Sequence, residues 1–79
     1  MELYIITVDW YDDESGHNIQ VHDVTDDRER ARKIFREYVD MHRETDLNDG
    51  YTITDDYDYL YYAHGEMPCY HRVTIQTFG

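Results

Sequence analysis

Residues 25–44 read TDDRERARKIFREYVDMHRE, and the spacing of their apolar side chains decides the fold. Ala31, Ile34, Phe35, Tyr38 and His42 recur at i, i+3, i+4, i+7 and i+11, with Val39 beside them, which makes one apolar stripe on an α-helix. Thr25 or Asp26 offers the N-cap oxygen, and Asp26 with Glu29 has the spacing of a capping box. Acids in the first turn complement the helix dipole. At ~1.5 to 3 kcal/mol per large side chain, burying Ile34, Phe35, Tyr38 and Val39 contributes roughly 6 to 12 kcal/mol before entropy. Packing this stripe on a sheet is therefore the main folding event.

Outward from the helix, Glu2 to Tyr11 reads as a strand with Tyr4, Ile6, Val8 and Trp10 on one face and Leu3, Ile5, Thr7 and Asp9 on the other. Both faces begin apolar, as a central strand's do. Asp12 to Gly16 is a turn, and Asn18 to Val24 completes a hairpin with Ile19, Val21 and Asp23 on one side. After the turn signal Asn48-Asp49-Gly50, Tyr51 to Thr54 is strand-like. Cys69 to Phe78 is a good strand with Cys69, His71, Val73 and Ile75 on one face. Tyr57 to His64 fits two readings. Its tyrosines favour a strand, while Thr54 or Asp55 as cap, Tyr57, Leu60, Tyr61 and His64 at helical spacing and Gly65 as terminator fit a short helix. Glu66-Met67-Pro68 supplies a hairpin turn. The fold expected is α+β in one compact domain, residues 1–79: a four-stranded, mostly antiparallel sheet in the order ββαββ with the amphipathic helix on one face. Ile6, Val8, Ile34, Phe35, Tyr38, Val73 and Ile75 should meet between helix and sheet, leaving the opposite face rich in tyrosine.

Charge is segregated along the chain. Asp26 to Glu44 holds six acids and six bases, so it nets zero, while the other residues hold 12 acids and Arg72 alone, giving 1 − 12 = −11. Mean hydropathy of −0.87 with this charge points toward disorder, but an aromatic fraction of 15% supplies buried area that hydropathy scales miss. Cys69 is the only cysteine, which excludes an internal disulfide and fits a reducing cytosol. No basic leader with an apolar run and no stretch of ~18 apolar residues occurs, so a cytoplasmic location is expected. Acidity disfavours binding to nucleic acid or anionic lipid and favours a basic protein.

Two acid-aromatic segments carry the binding hypothesis: Asp9 to Glu14 and Asp46 to Tyr62, the second without a base. Carboxylates repeated on one strand face, ~6.7 Å apart for Asp56 and Asp58, imitate a nucleic-acid backbone, and tyrosines between them stack on guanidinium groups. The interface residues expected are Asp9, Trp10, Tyr11, Asp12, Asp13, Glu14, Asp49, Asp55, Asp56, Tyr57, Asp58, Tyr59 and Tyr61. A merely solvated acidic surface is the plain alternative, although Asp-Tyr interleaving is less suited to solubility than Glu and Lys.

Other chemistry finds weaker signals. Asp46-Leu47-Asn48-Asp49-Gly50 approaches a calcium loop, yet glycine falls fifth rather than sixth and Tyr57 stands where the chelating glutamate belongs. His64, Cys69 and His71 match no standard zinc spacing and lack a fourth ligand. No nucleophile is accompanied by an orienting group and an oxyanion pocket. Arg28, Arg32 and Arg36, at i+4 spacing, fit pairing with neighbouring acids better than a binding stripe. No cofactor, metal site or catalytic residue is expected.

In size, acidity and these two clusters the chain resembles, as a class, the small acidic proteins with which bacterial viruses and mobile elements block host defence, anti-CRISPR proteins and DNA mimics among them. The resemblance implies an inhibitor that occupies the basic groove of a nucleic-acid-binding effector in the host bacterial cytoplasm. Two other readings stand beside it: a homodimerising module using a tyrosine-rich sheet face, and a small metal-dependent or hydrolytic enzyme.

Overall fold

The computed structural model describes residues 2–56, 59–65 and 69–79. Its helix, α1 (Arg28–Asn48), buries Ala31, Phe35 and Val39 completely, so the apolar stripe packs as its period predicts. The cap differs by a residue from the expectation. Asp27 is the N-cap, and its Oδ1 accepts from the backbone N–H groups of Glu29 and Arg30 at 2.9 and 3.3 Å. Thr25 Oγ1 accepts from Asp27 N–H at 3.1 Å, so it supports the cap instead of forming it. At the other end Asp49 is the C-cap and Gly50 adopts φ 79°, a left-handed conformation that glycine enters without Cβ cost. Tyr51 N–H then bonds Asp46 C=O and Gly50 N–H bonds Leu47 C=O, which closes a Schellman motif. That turn sends the chain back toward the sheet.

The sheet is antiparallel throughout and has five strands: β1 (Leu3–Asp12), β2 (Gly16–Thr25), β3 (Thr52–Asp56), β4 (Leu60–His64) and β5 (Tyr70–Phe78). Their spatial order is β2-β1-β5-β4-β3, with α1 connecting the two edges across one face. The chain is thus α+β, but its order is ββαβββ rather than the expected ββαββ. The extra strand is Leu60–His64, set off from β3 by the bond of Tyr59 N–H to Asp56 C=O at 3.3 Å. Leu60–His64 is a strand and not a helix, while Tyr57 and Asp58 lie outside the described residues, as does the turn expected at Glu66, Met67 and Pro68. No helix among the described residues is long and apolar enough to cross a membrane.

One irregularity resets a face. Ile6 pairs with Asp23 but Thr7 pairs with Val21, so His22 is an extra residue in β2, a β-bulge. Ile19 and Val21 keep one face, whereas Asp23 crosses to the helix side, contrary to the simple alternation read from sequence. The core comprises Ile6, Val8, Ala31, Phe35, Val39, Tyr61, Ala63 and Val73, with Ile34, Tyr38 and Ile75 packed at its margin.

Truncating Phe35 removes the largest apolar side chain of the helix stripe. Phe35→Ala should cost roughly 3 to 5 kcal/mol, enough to unfold or nearly unfold a domain this small, and denaturant titration measures it. Asp27→Ala should cost about 1 kcal/mol through loss of the cap, whereas Asp26→Ala should leave the unfolding midpoint nearly unchanged.

Candidate functional site

Strand alternation sorts side chains between a face covered by α1 and an open face. From strand register, the open face is built in rows. His17, Tyr11, Tyr70, His64 and Thr52 form the first; Ile19, Asp9, Arg72, Tyr62 and Thr54 the second; Val21, Thr7, Thr74, Leu60 and Asp56 the third. Below them lie Val24, Ile5 and Gln76, then Leu3 and Phe78.

The first two rows make an aromatic tract. Tyr11 and Tyr70 stack with centroids 6.4 Å apart, Tyr62 lies 5.7 Å from Tyr70, and His64 stacks on Tyr62 at 5.4 Å. At its middle Arg72 grips Asp9 with a two-pronged contact, Nε to Oδ1 at 3.0 Å and a terminal nitrogen to Oδ2 at 2.7 Å. Asp9 is 5% exposed, so this planar fork is what makes its burial tolerable. Beneath it the hydroxyls of Thr7 and Thr74 bond at 2.7 Å. The tract ends at the β1–β2 turn. There Asp12 accepts from Ser15 and Glu14 N–H and from the Ser15 hydroxyl, and the Ser15 bonds hold its carboxyl below the usual range. Asp13 and Glu14 project into solvent, with no ion pair to a base among the described residues.

The acids expected to share one surface are therefore dispersed. Tyr11, Asp12, Asp13 and Glu14 come together, and Asp49 stands exposed at the same end on the helix side. Asp56 lies on the opposite edge, about 20 Å away by strand spacings of ~4.8 Å and a rise of ~3.4 Å per residue. Asp55 faces the helix and binds Arg36 through both oxygens at 2.9 and 3.1 Å, with Arg43 at 3.0 Å. Trp10 and Tyr61 also face the helix. Tyr59 is exposed beside the turn, and Tyr57 and Asp58 are outside the described residues. Sequence reading missed Tyr62, Tyr70, Arg72, His17 and His64 as members of the tract. Their parity relative to Val73 and Val8 was the available signal.

A second constellation lies under the helix. Asp46, 5% exposed in the last turn of α1, accepts from the Tyr61 hydroxyl at 2.5 Å and from His71 Nε2 at 2.7 Å. A carboxylate only accepts, so Nε2 is the protonated nitrogen. Burial first, then the bond to Asp46, pushes the Tyr61 hydroxyl pKa well above its ordinary value. Burial likewise raises Tyr38 and Tyr51. A groove of about 430 Å³ lined by Val8, Trp10, Gln20, His22, Tyr38, His42 and His71 opens beside the network. Asp46 follows Phe35, Val39 and His42 at i+11, i+7 and i+4, so an acid on the apolar stripe signalled a buried partner. The trio His64, Cys69 and His71 is split: His64 joins the open face and His71 bonds Asp46 beneath the helix. Among the described residues no group of three or more His, Cys, Asp or Glu is placed to hold a metal ion.

Fold and surface define an α+β chain with one bare sheet face, aromatic at one end and aliphatic at the other. No protein-family model matches it, and no curated protein or solved structure does either.

Two outcomes follow from the buried polar groups. Arg72→Met leaves Asp9 without its fork and should cost ~2 to 3 kcal/mol, less than a fully sealed charge because Arg72 is half exposed and water can enter. In a double-mutant cycle, adding Asp9→Asn should recover part of that loss. Above pH 10 the unfolded chain releases tyrosine protons that Tyr61 keeps when folded, so stability falls as pH rises. The loss is about 1.4 kcal/mol per pH unit for each such tyrosine. Tyr61→Phe should flatten the alkaline limb of a stability–pH curve.

Proposed function

We propose that this protein is an acidic inhibitor that binds the basic groove of a nucleic-acid-binding effector, as anti-defence proteins and DNA mimics do. The observation that carries the reading is the joining of Asp12, Asp13 and Glu14 to an uncovered tract of Tyr11, Tyr70 and Tyr62. Exposed carboxylates supply the negative charge that phosphates would, and the tyrosine rings offer faces on which arginine side chains stack. Asp9 and Asp55 serve this function only indirectly. Their arginine partners consume them, so the contact surface is narrower than the acidic segments and lies at one end of the sheet. Against this reading as an enzyme's, the Asp46–His71 pair has Tyr61 rather than a nucleophile as its companion, and the two bonds read as architecture.

The experiment is competition. Titrating the protein into complexes of candidate defence effectors with their nucleic acid should displace the nucleic acid from at least one effector. Asp13→Asn with Glu14→Gln should weaken that binding roughly tenfold, about 1.4 kcal/mol. Binding should also fall steeply between 0.05 and 0.5 M salt, as screening of exposed charge requires. No displacement from several effector types at low salt would overturn the proposal.

A further inference from the structure

The two edges of the sheet are built differently. β3 is five residues long and ends in Asp55 and Asp56. β2 is ten residues long, lies at the other edge, and carries Asp23 as its sole charged residue in a chain that is 32% charged. Natural sheets guard a long edge with lysine, proline, charge or a bulge such as that at His22, because its outer N–H and C=O groups template another strand. Gly16 to Val21, the stretch before the bulge, has none of these guards. Its open-face side chains are also bare: Ile19 is 66% and Val21 56% exposed, continuous with Val24, Leu3 and Phe78 at 41 to 52%.

Charge selects the occupant. An edge whose one acid, Asp23, turns to the helix side gives a basic groove little to pair with, so it is not the surface that meets the effector. What fits is another edge uncharged over residues 16–21 with apolar residues in matching positions, and β2 itself provides one. We infer that two copies of this chain pair antiparallel through β2, about a two-fold axis at Gln20, into one continuous ten-stranded sheet. That axis sets Ile19 of each copy opposite Val21 of the other on the open face and Gln20 opposite Gln20 on the helix face. The interface is isologous, each residue meeting its counterpart's complement. The turns bearing Asp13 and Glu14 are thrown to opposite ends, about 40 Å apart at ~3.4 Å per residue. That is several screening lengths of ~8 to 10 Å. Both helices lie on one side of the joined sheet, and the two aromatic tracts remain open on the other. The inference does not depend on the proposed function, since the β2 edge and the acidic turn are separate surfaces.

Sedimentation equilibrium from 5 to 300 μM tests it. A dimer should form and its dissociation constant should fall at least threefold from 0.05 to 0.5 M salt, because screening weakens repulsion between two −11 chains. This is opposite in sign to the effect on binding a basic partner. Ile19→Lys with Val21→Lys should give a monomer at every salt, with the circular dichroism of the fold retained because both positions face solvent. Thr54→Lys on the β3 edge should leave the dimer intact. A chain that is monomeric at 300 μM in 0.5 M salt would overturn the inference. So would a dimer that survives the paired lysines, or one that is lost on Tyr62→Ala with Tyr70→Ala, which would put the contact on the tyrosine tract. Effector competition by the lysine variants reads the acidic surface separately, so failure of one proposal is distinguishable from failure of the other.

Discussion

A single helix has to cover a five-stranded sheet, and most of the structure follows from the mismatch. An α-helix is about 10 to 12 Å wide with its side chains, while five strands at ~4.8 Å span roughly 20 Å. One helix thus buries the middle of one face and leaves the other face bare. Phe35 and Val39 meet Ile6, Val8, Val73 and Tyr61 along that seam, all of them buried. Everything on the odd side of β1, from Leu3 to Tyr11, must find another arrangement. The upper rows solve this with paired polar groups and stacked rings, and the lower rows leave aliphatic side chains in water.

The acids are divided by the same geometry. A carboxylate largely shut off from water must be matched, whichever face it lies on. Asp46 is matched by Tyr61 and His71, Asp55 by Arg36 and Arg43, and Asp9 by Arg72. These pairs join separate elements: the helix to β4 and β5, the helix to β3, and β1 to β5. Such pairs add less net stability than their geometry suggests, since desolvation offsets the Coulomb attraction. They do favour one register, because a strand shifted by one residue turns its side chains to the other face and parts acid from partner. The acids thus fall into two sets, an inner one paired within the fold and an outer one exposed to solvent, and the outer set carries the net charge of −11.

Legibility in the sequence tracked the range of the physics. The helix was readable because its stripe, caps and first-turn acids are local signals, and the cap still slipped from Asp26 to Asp27 because Thr25, Asp26 and Asp27 all carry suitable oxygens. β1 and β5 were readable from alternation. The strand count was not, since Tyr57 to His64 suits both a strand and a short helix by its side-chain spacing. Nor was the face of Asp23, because a bulge at His22 depends on the partner strand and leaves no mark in β2 alone. The acidic segments looked continuous in sequence, but alternation splits Trp10 from Tyr11 and Tyr61 from Tyr62. A binding surface is a property of one face, and composition does not know faces.

The outer charge and the bare edge bear on one another. The net charge of −11 would oppose association of two copies and favour a basic partner, and both effects would act over a common screening length. Occupying Asp13 and Glu14 with cationic groups would lower the net charge of each copy, a weak effect on the pairing of two β2 edges because the two turns would stand several screening lengths apart. Arg72 has no part in it, being already closed on Asp9 in the middle of the sheet. The acids paired within the fold are thereby separate from the exposed acids of the β1–β2 turn, and a change at that turn leaves the core intact.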